Sequence, residues 1–140
     1  MNELLKDKKV LITGSSRGIG KATAVAMAKA GADVAVHYNR QADLAEETAA
    51  EIRKAGSEAL VLQANLEDLD EVDSMFEKIK EEWGVLDVFM ANAAATAFKP
   101  LMEMKPHHID RTHHLLVNSL IRSSQRAVPL MSGRSGRIIT

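Results

Sequence analysis

Residues Val10-Leu-Ile-Thr-Gly-Ser-Ser-Arg-Gly-Ile-Gly20 decide the fold that this sequence predicts. The glycines at 14, 18 and 20 directly follow an apolar run and precede an alanine-rich segment. Such a turn between a strand and a helix lets the backbone approach a pyrophosphate, and the helix N-terminus offers free N–H groups to the phosphates. The stretch therefore predicts a dinucleotide site, and an ordinary tight turn is the alternative.

The rest of the chain alternates short apolar runs with longer amphipathic segments. The pattern predicts strands at 10–13, 33–37, 58–63, 86–91 and 137–140, and helices at 18–30, 41–55, 68–83 and 106–131. Short apolar strands separated by helices indicate a parallel sheet covered on both faces, and right-handed crossovers make it doubly wound. We predict an α/β, Rossmann-like fold that forms a single dinucleotide-binding domain over residues 1–140.

Composition excludes several other classes of protein. The formal net charge is −1, so charge gives no reason to expect a nucleic-acid or membrane partner. The chain has no cysteine, its N-terminus lacks the apolar segment of a signal peptide, and no apolar run reaches the roughly 18 residues of a membrane span. The histidines at 107, 108, 113 and 114 lack the helical spacing of a metal site. We expect a cytoplasmic protein without a metal.

Several motifs together resemble the short-chain dehydrogenase/reductase family. They are the Gly-x-x-x-Gly-x-Gly spacing after Thr13, the segment Asn92-Ala-Ala94 where the family has Asn-Ala-Gly, Asn118 in "LLVNSL", and "GRIIT" at 136–140. The resemblance extends from Lys9 to Thr140 and implies the strand order 3-2-1-4-5. The cofactor-binding residues that it implies are Gly14, Ser15, Ser16, Arg17, Gly18, Ile19, Gly20, Asn39, Arg40, Asn65, Leu66, Asn92, Ala93 and Ala94.

The end of the second predicted strand favours NADP(H) over NAD(H). An acidic residue there would hold the ribose 2′-hydroxyl of NAD(H), but the sequence reads His37-Tyr-Asn-Arg40. The guanidinium groups of Arg40 and Arg17 suit a 2′-phosphate, because each donates paired hydrogen bonds. The alternative is that both arginines are merely solvated. Asn65, where the family usually has an aspartate, either contacts adenine or forms a turn before the next helix.

The resemblance implies catalysis by a serine, a tyrosine, a lysine four residues after that tyrosine, and an asparagine. Only the asparagine, Asn118, is present, because the single tyrosine, Tyr38, has no lysine at the required offset. The chain ends at Thr140, within the predicted fifth strand, so we expect an incomplete domain that is inactive alone. It would be a fragment, a truncated form or the ordered part of a longer enzyme.

Asn65 together with Asn-Ala-Ala resembles the enoyl-acyl-carrier-protein reductases of this family, which act on a substrate bound to acyl carrier protein. The alternatives are a 3-oxoacyl-carrier-protein reductase, a sugar or steroid dehydrogenase, a non-catalytic nucleotide-binding fragment and an interaction protein. The family also implies a homo-oligomer, a tetramer or dimer. Finally, the loop 132–137, with Arg134, Arg137 and the earlier Arg126, is interpreted as a solvated loop, and a phosphate patch is the alternative.

Overall fold

A five-stranded parallel sheet forms the centre of the molecule. The computed structural model describes residues 3–95 and 98–140. The strands are β1 (Lys9–Ile12), β2 (Asp33–Tyr38), β3 (Ala59–Gln63), β4 (Val88–Met90) and β5 (Arg137–Ile139), in the order β3-β2-β1-β4-β5. All neighbouring strands pair in parallel. The predicted α/β fold and strand order are therefore confirmed.

Within the described residues, five α-helices connect the strands. They are α1 (Gly18–Lys29), α2 (Ala42–Lys54), α3 (Leu69–Glu82), α4 (Pro106–His113) and α5 (Ser119–Leu130), and a short 3-10 turn covers Leu101–Glu103. Among the described residues, no helix has both the length and the apolar character needed to cross a bilayer.

Two apolar layers cover the sheet, one on each face. Val10, Ile12 and Val36 pack on the side of α1 and α2, where Ala24 and Ala28 keep the surface of α1 thin. On the other face, the alternate strand residues pack against α3 and α5. This second layer contains Leu11, Ala35, Phe89, Val72, Met75, Phe76, Ile79 and Ala127. Because successive strand residues point to opposite faces, burial on both faces explains why these strands are apolar throughout.

The predicted helix over 106–131 is correct in extent but differs in its middle. A π-helical turn, His114–Asn118, separates α4 from α5, and the Ser119 N–H donates to the carbonyl of His114. The i to i+5 bond inserts one extra residue, which shifts the faces of α4 relative to those of α5. An average period of 3.6 residues cannot reveal a local insertion of this kind.

Asp87 organises the edge of the sheet where the strands begin. Its side chain is only 2% exposed. It accepts hydrogen bonds from the Lys9 backbone N–H at 2.8 Å and from Arg134 Nε and Nη2 at 2.6 and 2.8 Å. Burial alone would raise the pKa of Asp87, but these donors and the charges of Arg134 and Lys8 hold it below its ordinary value. Asp87 therefore joins β1, β4 and the segment before β5 as a carboxylate.

Most of the loop 132–137 is exposed, as the interpretation as a solvated loop predicts. Arg134 fits neither that interpretation nor the phosphate-patch alternative, because its guanidinium is bound to Asp87. Arg126, on α5, pairs with Asp73 of α3 at 2.8 Å. Arg137 donates to the carbonyls of Ser135 and Gly136. The sequence could not indicate these ion pairs, because their partners are 47 and 53 residues away.

Candidate cofactor site

A cleft of about 540 Å³ opens at the carboxyl ends of the strands. β1 lies between β2 and β4, so the chain reverses its direction of travel across the sheet at this point. Such switch points are where open α/β sheets bind ligands. The lining residues come from the segments after four strands and from α4 and the π turn: Gly14, Ser16, Arg17, Gly18, Ile19, His37, Tyr38, Asn39, Arg40, Gln41, Ala64, Asn65, Leu66, Glu67, Asn92, Ala93, Ala94, Ala95, Arg111 and Leu115.

The loop between β1 and α1 requires glycine at one position, and the first turn of α1 requires it at another. Gly14 has a φ of +65°, and a Cβ there would lie 2.9 Å from the Cα of Ala93. A Cβ on Gly20 would contact the Gly14 carbonyl and would lie 2.6 Å from Asn92 Nδ2. The glycines therefore let the loop pack directly against the segment that follows β4, as predicted for a strand-to-helix turn of this type.

The N-terminus of α1 is open toward the cleft. Its cap residue, Arg17, makes no side-chain capping bond, and its first turn contains no acidic residue. The first N–H groups of a helix have no partner within the helix, and they carry the positive end of its dipole. A Cβ on Gly18 would meet no atom within 4 Å. Free donors beside open space are suited to an anion such as a phosphate.

Thr13 and Asn92 hold this loop in place. The Asn92 side-chain amide donates to the carbonyls of Thr13 and Gly14 at 3.0 and 3.2 Å. In return, the Thr13 hydroxyl accepts the backbone N–H groups of Asn92 and Ala93, both at 3.1 Å. Asn92 therefore lines the cleft and also fastens β1 to β4.

Two arginines line the cleft, Arg17 from the loop before α1 and Arg40 from the segment after β2. Arg17 and Arg40 are exposed. Within residues 3–95 and 98–140, neither guanidinium forms an ion pair with an acidic side chain. The cleft's acidic residue, Glu67, follows β3 and pairs with Arg111 at 3.0 Å. Arg17 and Arg40 therefore bring to the cleft two positive charges that no described acidic side chain neutralises.

Asn65 forms a turn. Its side-chain oxygen accepts the N–H of Glu67 at 3.1 Å, and its own N–H donates to Glu71 at 2.6 Å. The cap of α3 is supplied instead by Asp68, which accepts from the N–H of Asp70. Asn65 also lines the cleft beside Leu66, so the residue both forms the turn and faces the cleft.

Three predicted site residues do not line the cleft. Gly20 and Ser15 are buried behind the loop, where the Ser15 hydroxyl donates to the Ile12 carbonyl at 2.7 Å. Asn118 is the last residue of the π turn and is half-buried. Neighbouring Ser119 lines a smaller adjacent cavity of about 160 Å³ with Thr13 and Thr140. The catalytic role of Asn118 stays a prediction.

Sequence reasoning missed several lining residues, chiefly His37, Tyr38, Glu67 and Arg111. For His37 a signal was available, since it is a polar residue at the carboxyl end of an otherwise apolar strand. Arg111 carried none, because its place in the cleft depends on how α4 packs. The four histidines of α4 and the π turn form no metal cluster. In the described part of the chain, no group of three or more His, Cys, Asp or Glu residues is arranged to hold a metal ion.

The open parallel sheet and the glycine cleft at its switch point define a dinucleotide-binding α/β protein. The model of the short chain dehydrogenase family matches residues 8–140. The chain therefore belongs to the short-chain dehydrogenase family.

Individual relatives agree with this assignment. The chain is similar to 1-cyclohexenylcarbonyl-CoA reductase of Streptomyces collinus, with 41% identity over 92% of this chain and 46% of that protein. It is 37% identical to the 3-oxoacyl-[acyl-carrier-protein] reductase FabG of Staphylococcus aureus, over 94% of this chain and 54% of that protein. A short chain dehydrogenase from Burkholderia cenocepacia, solved in complex with NADP, superposes with a TM-score of 0.91 at 36% identity, covering 96% of this chain and 54% of that one. The chain spans about half the length of the curated relatives it matches.

Proposed function

We propose that this chain supplies the NADP(H) site of a short-chain oxidoreductase. The observation that carries the proposal is the pair of exposed arginines, Arg17 and Arg40, in a cleft whose β2 segment, His37-Tyr-Asn-Arg40, contains no acidic residue. A 2′-phosphate is the group that two free guanidiniums there would recognise. The NADP-bound relative from Burkholderia cenocepacia supports the same choice.

The residues present fit a dinucleotide. The open N-terminus of α1 and the Cβ-free loop would take the pyrophosphate, and Leu66 with Asn65 would bound the adenine end. The segment 92–95 would lie beside the nicotinamide end, where the bound cofactor supplies or accepts a hydride. The chain's own residues bind and orient the cofactor in this scheme. Tyr38 ends β2, so we do not assign proton transfer to it.

Titration calorimetry with NADPH and with NADH tests this proposal on the chain itself. We expect NADPH to bind about tenfold or more tightly than NADH, since charge-assisted hydrogen bonds to the phosphate are each worth about 1.5–3 kcal/mol. A folded sample that binds neither nucleotide contradicts the proposal and favours an interaction protein. Equal affinity for both nucleotides contradicts only the arginine assignment.

For the substrate, we propose an α,β-unsaturated acyl thioester whose 2,3-double bond is reduced. The name of the Streptomyces collinus relative describes such a thioester, and Asn65 with the Asn92-Ala-Ala94 segment resembles the enoyl-acyl-carrier-protein reductases. The Staphylococcus aureus relative favours a 3-oxoacyl thioester as the second candidate. The acyl carrier protein as carrier and the cytoplasmic location stay predictions.

NADPH oxidation by the full-length natural protein separates the two candidates. Crotonyl-CoA tests reduction of the double bond, and acetoacetyl-CoA tests reduction of the ketone. Turnover of crotonyl-CoA alone supports the enoyl assignment, and turnover of acetoacetyl-CoA alone replaces it with the 3-oxoacyl assignment. If neither is turned over, a sugar or steroid dehydrogenase or a non-catalytic nucleotide-binding protein remains.

A homo-oligomer is the third part of the proposal. Ile109, Val117, Ile121 and Val128 are 57, 39, 53 and 56% exposed along α4, the π turn and α5. Exposed apolar side chains in such numbers on one connected helical segment favour a protein contact. Sedimentation velocity of the full-length protein should give a dimer or tetramer, and a monomer at micromolar concentration would contradict this part.

A further inference from the structure

The imidazole of His37 is only 2% exposed and joins two segments of the cleft. Its Nδ1 lies 2.9 Å from the Gly14 nitrogen, and its Nε2 lies 2.9 Å from the Ala64 carbonyl oxygen. Gly14 can only donate, and the carbonyl can only accept. The ring is therefore neutral, with its proton on Nε2, and it links the glycine loop to the end of β3.

The backbone of His37 adds two more bonds to the same loop. Its N–H donates to the Ser15 hydroxyl, and its carbonyl accepts the Ser15 N–H, both at 3.1 Å. The side-chain amide of Asn92 donates a hydrogen bond to the carbonyl of Gly14. The peptide group before Gly14 is thus bonded to a β2 side chain, and the one after it to a side chain following β4. This leaves the N–H groups of α1 as the open donors.

We propose that His37 is a positioning residue of the cofactor site: its neutral ring holds Gly14 in the conformation that presents the α1 N-terminus to the pyrophosphate, and protonation of the ring releases the loop and weakens cofactor binding. The proposal rests on the proposed NADP(H) function. The physical reason is that a protonated Nδ1 would direct an N–H at the N–H of Gly14 and so convert an attraction into a repulsion.

The surroundings of the ring favour its neutral form. Burial is the leading cause that lowers the pKa of His37 below its ordinary value, and the hydrogen bond to Ala64 opposes it only in part. Charged or titratable side chains around the ring come from each neighbouring segment, and none of them is hydrogen-bonded to it. Those that line the same cleft are Arg17 from the loop, Tyr38 at the end of β2, Arg40 after it, Glu67 after β3 and Arg111 from α4, and Glu71 of α3 bonds the neighbouring Asn65.

Three substitutions of His37 remove its side-chain hydrogen bonds to Gly14 and Ala64 either one at a time or together. His37→Phe keeps an aromatic ring but removes both bonds. In His37→Asn, the side-chain oxygen can occupy the place of Nδ1 and retain the Gly14 bond. His37→Gln places its amide nearer to Nε2 and favours the Ala64 bond. His107→Phe and His107→Asn, at an exposed position of α4 outside the cleft, are the matched controls.

Calorimetry with NADPH at pH 8 is the first measurement. We expect His37→Phe and His37→Gln to bind about tenfold more weakly than wild type, which is the effect of leaving a buried donor unpaired, and His37→Asn to bind within about threefold. If His37→Phe does not fold, the NADPH affinities of His37→Asn and His37→Gln test the proposal. Equal affinity of the Asn and Gln variants, or wild-type affinity of a folded Phe variant, overturns the proposal.

The pH dependence of NADP⁺ binding is the second measurement. A purely structural role of His37 would not change this dependence. In wild type, the dissociation constant should rise as the pH falls through the lowered pKa of His37, which lies below the ordinary histidine value of about 6.5. The cofactor's own phosphate also titrates, at about 6, and His37→Asn retains that contribution. A steeper profile for wild type than for His37→Asn supports the proposal, and identical profiles overturn it.

Amide hydrogen exchange at Gly14 distinguishes failure of this proposal from failure of the proposed function. It is measured by NMR without any nucleotide. We expect exchange at Gly14 about tenfold faster in His37→Phe than in wild type and in the His107 variants. A folded wild type that binds no nucleotide overturns the NADP(H) function, and the Gly14 exchange rate then decides the role of His37 alone. Unchanged exchange overturns that role.

Discussion

Single residues of the cleft divide into those that shape the loop and those that face the ligand space. Asn92 and His37 form hydrogen bonds with the backbone of residues 13–15 and 64. Arg17 and Arg40 instead present guanidiniums to open space. Substitutions in the first group should therefore change binding of every dinucleotide, whereas substitutions in the second should change the choice between dinucleotides.

Arg40→Asp tests the second group. Removing a phosphate partner and adding an acceptor for the ribose 2′-hydroxyl should weaken NADPH about tenfold or more and strengthen NADH. The dissociation constants of both nucleotides measure the shift. Arg53→Asp, on the surface of α2 outside the cleft, is the matched control and should change neither. An unchanged ratio of the NADPH and NADH dissociation constants in Arg40→Asp would show that this arginine does not bind the 2′-phosphate.

Gly14→Ala tests the residues that shape the loop. Gly56→Ala, at a second glycine of similar conformation, is the control. Gly14 and Gly56 both have positive φ, +65° and +91°, but only at Gly14 would a Cβ meet backbone atoms. The strain of the left-handed conformation is about 1–2 kcal/mol at either site, and overpacking adds about 1–3 kcal/mol at Gly14. Urea unfolding should show the larger loss for Gly14→Ala, which should also lose NADPH binding. Equal losses would mean that Ala93 moves aside freely.

At the scale of elements, the apolar runs and their glycine stops predicted all five strands and the order of the helices. Local patterns sufficed there, because burial on both faces makes the inner strands β1, β2 and β4 apolar, and the exposed β5 still contains Ile138 and Ile139. The π turn, the β2-to-loop contact of His37 and the Asp87–Arg134 pair were not predictable. They depend on one inserted residue, on neighbouring strands, and on two residues 47 positions apart.

Asp87→Asn is the prediction for the edge where the strands begin. Asp87 is buried but Arg134 is 29% exposed, so water compensates the arginine in part, and we expect a loss of about 1.5–3 kcal/mol, the worth of a hydrogen bond to a charged group. The pKa of Asp87 lies below its ordinary value in the folded state, so its contribution is present above the ordinary aspartate pKa and is lost as pH falls through the lowered one.

Urea unfolding between pH 7 and pH 3 measures both effects of Asp87→Asn. The wild-type advantage should be full at pH 7 and should shrink toward acid. Asp73→Asn is the control, because Asp73 is 19% exposed and its arginine partners are more exposed still, so a smaller loss is expected. A pH-independent difference would indicate lost packing rather than lost charge.

The π turn has its own consequence for Asn118. Because Asn118 lies outside the lining of the cofactor cleft, Asn118→Ala should leave NADPH affinity within about twofold. If the predicted catalytic role is correct, it should lower kcat of the full-length protein about 10²–10⁴-fold, the range of a proton-transfer contribution. Ser124→Ala, on α5, is the control. Unchanged kcat in Asn118→Ala would remove Asn118 from the proton path.

For the whole molecule, the cleft gathers segments from four strands and α4, so a bound dinucleotide would connect most of the sheet. Binding to the folded state alone stabilises a protein by about 2.7 kcal/mol at a ligand concentration of one hundred times the dissociation constant. Thermal unfolding of this chain should therefore move upward with NADPH concentration. NADH at the same concentration should give a smaller shift, and no shift with either nucleotide would contradict the proposed site.

The placement of Asp87 bears on how such a protein can change over evolutionary time. Its ion pair with Arg134 joins the chain at the edge of the sheet opposite the cleft. Substitutions at the rim residues Asn39, Arg40 and Gln41 therefore leave that interaction intact. We therefore expect that nucleotide preference can change during evolution by substitution at this rim without loss of the stability that the Asp87–Arg134 pair contributes.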